Sequence, residues 1–474
     1  MNPITILCEN TGLRKGYTPG TSLMQVAREQ NILLNGAPPL AALANHLLKE
    51  LWYELFAPQT LLFLGYEHPD GRRCYQRSLT FLMQKAAKEL FPELLLTVNH
   101  SVGNGFYCEL RGLTEVTPAI ADAIAHRMAQ LVEADLPFEK TKIPTTEAIA
   151  IFQQQGYVEK ARLQQTRGRL YTSVYYLDGY ADHFYGPLAP STGYLRRFAI
   201  APHQGGMALM FPNISNPNEV DKLNEQKKIF DIFHEHKTWV EILQAGTVGQ
   251  INELVQQGES PDLIKISEAL HEKKYAQIAD QISLRRHEIK LILIAGPSSS
   301  GKTTTSKRLA IQLKVAGFTP KVLEMDNYFV NRDRTPIGDD GKPDFESIHA
   351  VDLALFNEHL EQLLRGERVE LPKFSFSKGE RFYDGTFAQL NEKDILVVEG
   401  IHALNPALTA AVAQSQKFCI YASALTSVSL DSNNRISTTD NRLVRRMVRD
   451  AATRGHNACA TLHLWSSVRR GEER

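Results

Sequence analysis

Eight residues, Gly296 to Thr303, read GPSSSGKT. The pattern G-x-x-x-x-G-K-[ST] lets the backbone turn tightly enough for successive N–H groups to point at phosphate oxygens. The helix that follows adds its positive dipole end. A Gly/Ser linker would not sit between an apolar run, Leu291 to Ala295, and a helix-compatible run, Thr304 to Gly317. Strand, loop and helix together make Gly296, Pro297, Ser298, Ser299, Ser300, Gly301, Lys302, Thr303 and Thr304 the expected ATP-binding stretch. Within it Lys302 reaches the β- and γ-phosphates and the Thr303 hydroxyl sits on Mg²⁺.

Acidic residues are placed to act on what the loop holds. Asp326 closes the run KVLEMD, where its carboxylate can accept the proton of an acceptor hydroxyl. Glu399 closes DILVVE and is placed for the Mg²⁺ shell. Asp344 and Glu346, in KPDFE, form a third acidic position that faces a substrate. Any one such acid could equally cap a turn, but two on strands flanking a phosphate loop favour a site. Further on, RISTTDNRLVRRMVRDAATRG carries Arg442, Arg445, Arg446, Arg449 and Arg454. On a helix Arg442, Arg446 and Arg449 share a face. That face is either solvated or a lid that spreads the charge of transferring phosphates.

The elements that must position these groups alternate strand and helix. After KVLEMD comes a helix carrying Leu353, Phe356, Leu360 and Leu363 and ended by Gly366, then DILVVEG and KFCIYAS. Such alternation specifies a parallel sheet with helices on both faces and ligands at the carboxyl ends of the strands. Residues 288–474 are therefore expected to form an α/β P-loop domain. Residues 213–287 are expected to be a helical linker, including TVGQINELVQQG, capped by Thr247 and stopped at Gly258. Residues 1–65 and 66–212 look like two α+β domains. The first has a strand ITIL, a helix capped by Thr21 or Ser22 with Leu23, Val26 and Ala27 on one face, and a second helical patch, LAALANHLLKELWYEL. The second carries a helix over SLTFLMQKAAKELF and short strand-like runs.

The chain has 474 residues, with 53 basic and 53 acidic, so no global field attracts nucleic acid or an anionic membrane. Five cysteines in no CxxC spacing, no long apolar N-terminal core and no membrane-length run point to a reduced, cytoplasmic protein.

From about residue 288 the chain resembles the uridine kinase and phosphoribulokinase group of P-loop kinases, through GPSSSGKT, MDNYF, LPKFSFSKGERFYDG, VVEGIHAL and DNRLVRRMVRDAATRG. The resemblance implies Asp326 as general base, Lys302 and Thr303 on phosphate and Mg²⁺, and Glu399 near the metal. It also implies Arg442 and Arg449 as catalytic lid residues and Arg445 on ATP. Tyr328, Phe345, Glu346, Phe374 and Arg381 are then the expected substrate-binding residues. Where uridine kinases carry aspartate, any residue, Phe and Tyr, this chain has Asp326, Asn327, Tyr328 and Phe329. Where they carry a base-reading Tyr and His it has Phe374 and Gly379, which leaves phosphoryl transfer but not the pyrimidine-reading pair. Kinases of this layout continue past the lid, whereas this sequence reaches RRGEER just after TLHLWSSV. Trp465 is thus expected to be exposed to an element that completes the sheet.

The front half resembles the N-terminal regions of threonyl-tRNA synthetases. Residues 1–65 look like a TGS domain, a β-grasp module, through GYTPGTSLMQVA and LANHLLKEL. Residues 66–212 look like the editing domain, through RSLTFLMQKAAKELFP, GNGFYCEL and YGPLAPSTGYLRRF. The synthetase HxxxH and CxxxH positions hold Arg77, Phe81, Phe184 and Leu188 here, so neither zinc binding nor deacylation is expected. His100, Cys108 and His183 have no metal-ligand spacing and are expected to be packing or surface residues. The resulting expectation is an ATP- and Mg²⁺-dependent phosphotransferase acting on a nucleoside hydroxyl, uridine or cytidine kinase-like. RNA contact through the TGS-like module is the partner it implies, and an oligomer is open. The alternatives are a phosphoribulokinase-like sugar-phosphate kinase and an RNA-binding regulatory NTPase.

Overall fold

The computed structural model describes residues 2–473 apart from 225–226, 339–340, 342, 346, 376–377, 427, 454 and 456. The chain divides into two compact units, Met1–Ser260 with Ser427–Ile436, and Pro261–Thr426 with Ser437–Arg474. Residues 213–287, expected as a linker, are shared between them. The helices Lys227–Ile242 and Val248–Gln256 fall in the first unit, while Ser260–Leu284 falls almost wholly in the second. Thr247 caps its helix with a reciprocal bond from Gln250, and Gly258 ends it at φ +81°, as the sequence predicts.

The first unit opens with a five-stranded sheet in the order Leu13–Tyr17, Ile4–Cys8, Gln59–Leu64, Ala41–Ala44, Leu47–Lys49. The helix Leu23–Glu29, capped by Ser22, buries Leu23, Met24, Val26 and Ala27 against Ile6, Cys8 and Phe63. The expected second helix is instead a β-hairpin. Asn45 and His46 both take left-handed backbone angles, φ 46° and 67°, the turn that matches strand twist. An apolar spacing that fits a helix over Leu40 to Leu55 is thus overridden by two residues that tolerate positive φ.

The remainder of this unit packs the helix Pro69–Leu90 and a second sheet around a large apolar core, in which Leu79, Phe81, Val98, Cys108 and Phe184 are buried. That sheet runs Ala199–His203, Gly206–Met210, Gly105–Arg111, Leu95–Val102. A buried ion cluster sits beside it. Lys160, with no exposed side chain, pairs with Asp182 and lies 3.8 Å from Asp431, while the rings of Phe152, Tyr157 and Phe184 surround its ammonium group. Asp431 comes from the late segment Ser427–Ile436, which belongs to this unit.

The second unit is a parallel sheet, Thr319–Glu324, Asp394–Glu399, Leu291–Ala295, Lys417–Tyr421. Alternation along the central strand sends Leu291 and Leu293 towards Phe356, Leu360 and Leu363 of the helix Leu353–Leu364. Ile292 and Ile294 go the other way, towards Leu309 and Leu313 of the helix Lys302–Val315. Helices therefore cover both faces, and every strand points its carboxyl end the same way. No described helix is long and apolar enough to cross a membrane.

Replacing Lys160 by Met leaves the Asp182 and Asp431 carboxylates buried without their cation. This change is expected to cost about 3–5 kcal/mol in urea unfolding, the usual consequence of breaking a buried pair from one side. Burial also lowers the pKa of His100 and of His183 to about 4. The unfolded chain then binds more protons between about pH 4 and 6.5, so stability is full above this window and is lost as pH falls through it. The thermal midpoint is expected to drop between pH 6.5 and 5, and to drop less in His100→Phe.

Candidate functional site

The strand Leu291–Ala295 is wholly buried and delivers the chain to the loop at the carboxyl edge of the sheet. Two glycines make the turn. A Cβ at Gly296 would lie 2.0 Å from the Ala422 carbonyl oxygen, so only hydrogen fits there. Gly301 caps the helix Lys302–Val315 at φ +103°, a left-handed angle. The Ser299 and Ser300 hydroxyls are buried without a hydrogen-bond partner among the described residues. A loop with orphaned hydroxyls at a helix N-terminus fits a phosphate, whose oxygens accept what these groups donate. Lys302 Nζ rests 3.3 Å from the Pro297 carbonyl, and Thr304 opens the helix beside Thr303.

The Thr303 hydroxyl donates to Glu399 Oε1 at 2.7 Å, which brings the two expected metal-binding residues together. Burial raises the pKa of Glu399, and the nearby Asp326 and Glu324 carboxylates add to the shift, whereas Thr303 and Lys302 oppose it. A desolvated carboxylate with a hydroxyl beside it and a second acid near is an oxygen donor set suited to a hard cation such as Mg²⁺. Asp326 lies in a single helical turn, Met325–Tyr328, directly after the strand Thr319–Glu324, and is exposed.

The arginine helix Thr438–Thr453 lies against the same loop. Arg442 Nε donates to the Ser298 carbonyl at 3.0 Å, Arg445 Nε to the Ser299 carbonyl at 3.1 Å, and Arg446 Nη1 to Ser298 Oγ at 2.7 Å. Arg442 and Arg446 are only 4% and 7% exposed, so this face is not solvated. Asp450, 0% exposed, accepts from Arg446 at 3.2 Å and from Arg449 at 2.9 Å. The sequence reading missed Asp450 as the organiser of the arginines. The four-residue spacing from Arg446 was the available signal. Trp465 also differs from expectation, because its half-buried ring lies under Arg442, 5.6 Å from the guanidinium carbon.

The expected substrate residues separate. Phe345 and Phe374 line one cavity of about 290 Å³ with Phe329, Arg332, Arg446 and Val468. Arg381 lies outside this lining and donates to Asp352 at 2.9 Å. Tyr328 is a correction: it is fully buried, edge-on to Phe356, with its hydroxyl 3.1 Å from His359 Nδ1, so it serves the core. Asp344 is half-buried, with its amide donating to the Pro336 carbonyl at 2.7 Å, and Glu346 lies outside the described residues. In the first unit the four synthetase-like positions are packed as structure. Arg77 donates to the Pro187 carbonyl, Phe81 sits 5.3 Å from the Phe184 ring, and Leu188 is buried.

Strand order and phosphate loop together define a P-loop phosphotransferase type of domain. Residues 291–472 match the model of the Phosphoribulokinase / Uridine kinase family, and this segment carries a domain of that family. The N-terminal region is similar to threonine–tRNA ligases. That of Laribacter hongkongensis is 35% identical over 133 residues, 28% of this chain and 21% of the relative. That of Desulforamulus reducens is 27% identical over 186 residues, 39% of this chain and 29% of the relative. The chain thus spans less than a third of the length of these curated relatives. Among solved structures, a chain described as a fructose transport system kinase from Silicibacter sp. TM1040 is 20% identical with a TM-score of 0.31, covering 42% of this chain and 94% of its own. A D-glycerate 3-kinase from Cryptococcus neoformans is 18% identical with a TM-score of 0.21, covering 28% of this chain and 52% of its own.

Gly296→Ala forces the Ala422 carbonyl to move and is expected to lower the stability of the second unit by about 1–3 kcal/mol. A calorimetric scan should show a downshifted transition and weakened ATP protection. A wild-type melt with unchanged ATP protection would contradict the close approach.

Proposed function

We propose that the second unit transfers the γ-phosphoryl group of ATP to a hydroxyl of a nucleoside, with Mg²⁺ as the bridging cation. The observation that carries this reading is the convergence, on one loop, of the Thr303–Glu399 pair and the Arg442, Arg445 and Arg446 guanidinium groups. Lys302 clamps the β- and γ-phosphates, Thr303 and Glu399 hold the cation, and the arginines spread the charge that develops during transfer. Asp326, at the end of its strand, takes the proton of the acceptor hydroxyl. The cavity with Phe345 and Phe374 also carries Phe329, so its rings suit a flat acceptor, while Arg332 and Arg446 in the same lining keep a sugar phosphate as the alternative. Phe374 and Gly379 in place of a base-reading pair favour a broader choice of base than uridine alone.

The front modules, a TGS-like β-grasp domain and an editing-like domain, are proposed to serve the kinase in the cytoplasm, with RNA as a contact of the first. Their packed Arg77, Phe81, Phe184 and Leu188 support a role other than zinc-dependent hydrolysis.

Following ADP release with ATP, Mg²⁺ and a nucleoside panel tests the activity. Lys302→Ala is expected to weaken both ATP binding and turnover. Asp326→Asn should leave ATP binding intact while nucleoside-dependent turnover falls about 10²- to 10⁴-fold, the usual worth of a positioned base. Glu399→Gln is expected to raise the Mg²⁺ requirement. ADP release indifferent to every nucleoside would overturn the acceptor class. Release accelerated only by a sugar phosphate would favour the phosphoribulokinase-like alternative.

A further inference from the structure

The first unit holds a cavity of about 250 Å³ that the kinase chemistry does not use. One face of the sheet strands Leu95–Val102 and Gly105–Arg111 sends Leu96, Val98, Cys108 and Leu110 into the large core. Thr97, Tyr107 and Glu109, on the other face, line the cavity. The helix Lys227–Ile242 lays Phe230, Phe233 and Lys237 over it, and a third wall is Ser429, Asp431 and Ser432. These last residues come from the late segment that belongs to this unit.

The lining specifies a chemistry. Thr97 is 1% exposed, yet its hydroxyl has no hydrogen-bond partner among the described residues. A buried hydroxyl left unmade is costly, so its position favours a polar occupant. Among the charges on the walls, Glu109, Glu159 and Asp431 already have cationic partners, Glu241 shares Lys237, and Arg111 is a further, exposed cation. Lys237 lies 2.5 Å from Glu109, Glu159 lies 2.6 Å from Arg162, and Asp431 lies 3.8 Å from Lys160. A net-charged occupant would lose its hydration, and an anion would also face the carboxylates of Glu109, Glu159, Glu241 and Asp431. Interleaved with these groups on the same strands and helix, His100 stacks on Phe233 at 4.2 Å and on Tyr107 at 4.9 Å. Flat ring, hydroxyl or amide donors towards Glu109 and Thr97, and no net charge describe a nucleoside-sized molecule.

We propose that this cavity is an effector site for a neutral nucleoside, and that its occupant acts on the arginine lid through the segment at Ser429–Ser432. That segment is fastened within the first unit. The Ser432 carbonyl accepts from Val98 N at 2.9 Å, Asn433 Nδ2 donates to Leu96 O at 3.1 Å, and Asn434 Nδ2 donates to His183 O at 3.0 Å. Arg435 Nε donates to Asn99 O at 3.1 Å, and the arginine helix begins at Thr438. Residues 429–435 therefore lead directly, in chain order, into the arginine helix. This second half rests on the kinase reading, whereas the binding half does not.

Titration calorimetry on the full chain without ATP, using adenosine, guanosine, cytidine, uridine and their 5′-monophosphates, tests the site. At least one nucleoside is expected to bind wild type, with its monophosphate about tenfold weaker or more. Thr97→Ile, which fills the cavity and removes the hydroxyl, should weaken that nucleoside about tenfold or more. Thr97→Val keeps the shape and should weaken it by a smaller factor while melting like wild type. Binding unchanged in Thr97→Ile, or no binding by any nucleoside, overturns the site. For the lid, adding the effector at saturating acceptor should change ADP release in wild type and not in Thr97→Ile, and equal responses overturn the coupling. Thr97-dependent binding without any nucleoside-dependent ADP release would sink the kinase reading alone and leave the site standing.

Discussion

The backbone at Gly296 passes so close to the Ala422 carbonyl that no side chain can stand there, and the second unit is arranged around that approach. The two residues belong to the turns that follow neighbouring parallel strands, Leu291–Ala295 and Lys417–Tyr421. Their closeness fixes the phosphate loop relative to the sheet edge. It also sets where Thr303 meets Glu399, because the helix begins at the loop's last glycine. The arginine helix reads the same backbone, since two of its guanidinium groups bind loop carbonyls rather than side chains. Asp450 holds Arg446 and Arg449 from a fully buried position on the inner side of that helix.

Much of this was legible in the sequence where the signal is local. Strand, loop and helix around GPSSSGKT, the helix ended by Gly366 and the caps at Ser22 and Thr247 all rest on neighbours a few residues apart. The hairpin at Ala41–Ala44 and Leu47–Lys49 was not, because alternating and helical apolar spacings coincide over so short a run. Asn45 and His46 decide the matter through their backbone angles. Tyr328 looked substrate-facing beside Asp326, yet one residue of helical turn sends it inward to His359. Segment Ser427–Ile436 was equally hidden. Its partners, Leu96, Asn99 and His183, lie hundreds of residues earlier, and no periodicity in the segment announces them.

In the first unit Arg77, Phe81, Phe184 and Leu188 are all taken up by packing. Arg77 now serves a carbonyl, and Phe81 stacks with Phe138 and lies against Tyr180 and Phe184. Apolar contact and a backbone hydrogen bond satisfy these side chains within the core.

The excursion at residues 427–436 also imposes an order on synthesis. As the chain emerges, residues 1–260 can collapse around Lys160 and Asp182, but the carboxylate of Asp431 reaches them only after nearly all of the second unit's sheet has been made. Until then the edge of Leu95–Val102 that will receive Ser432 waits unpaired. Because domains fold as they are translated, the front unit is finished late, by the same few residues that lead into the arginine helix.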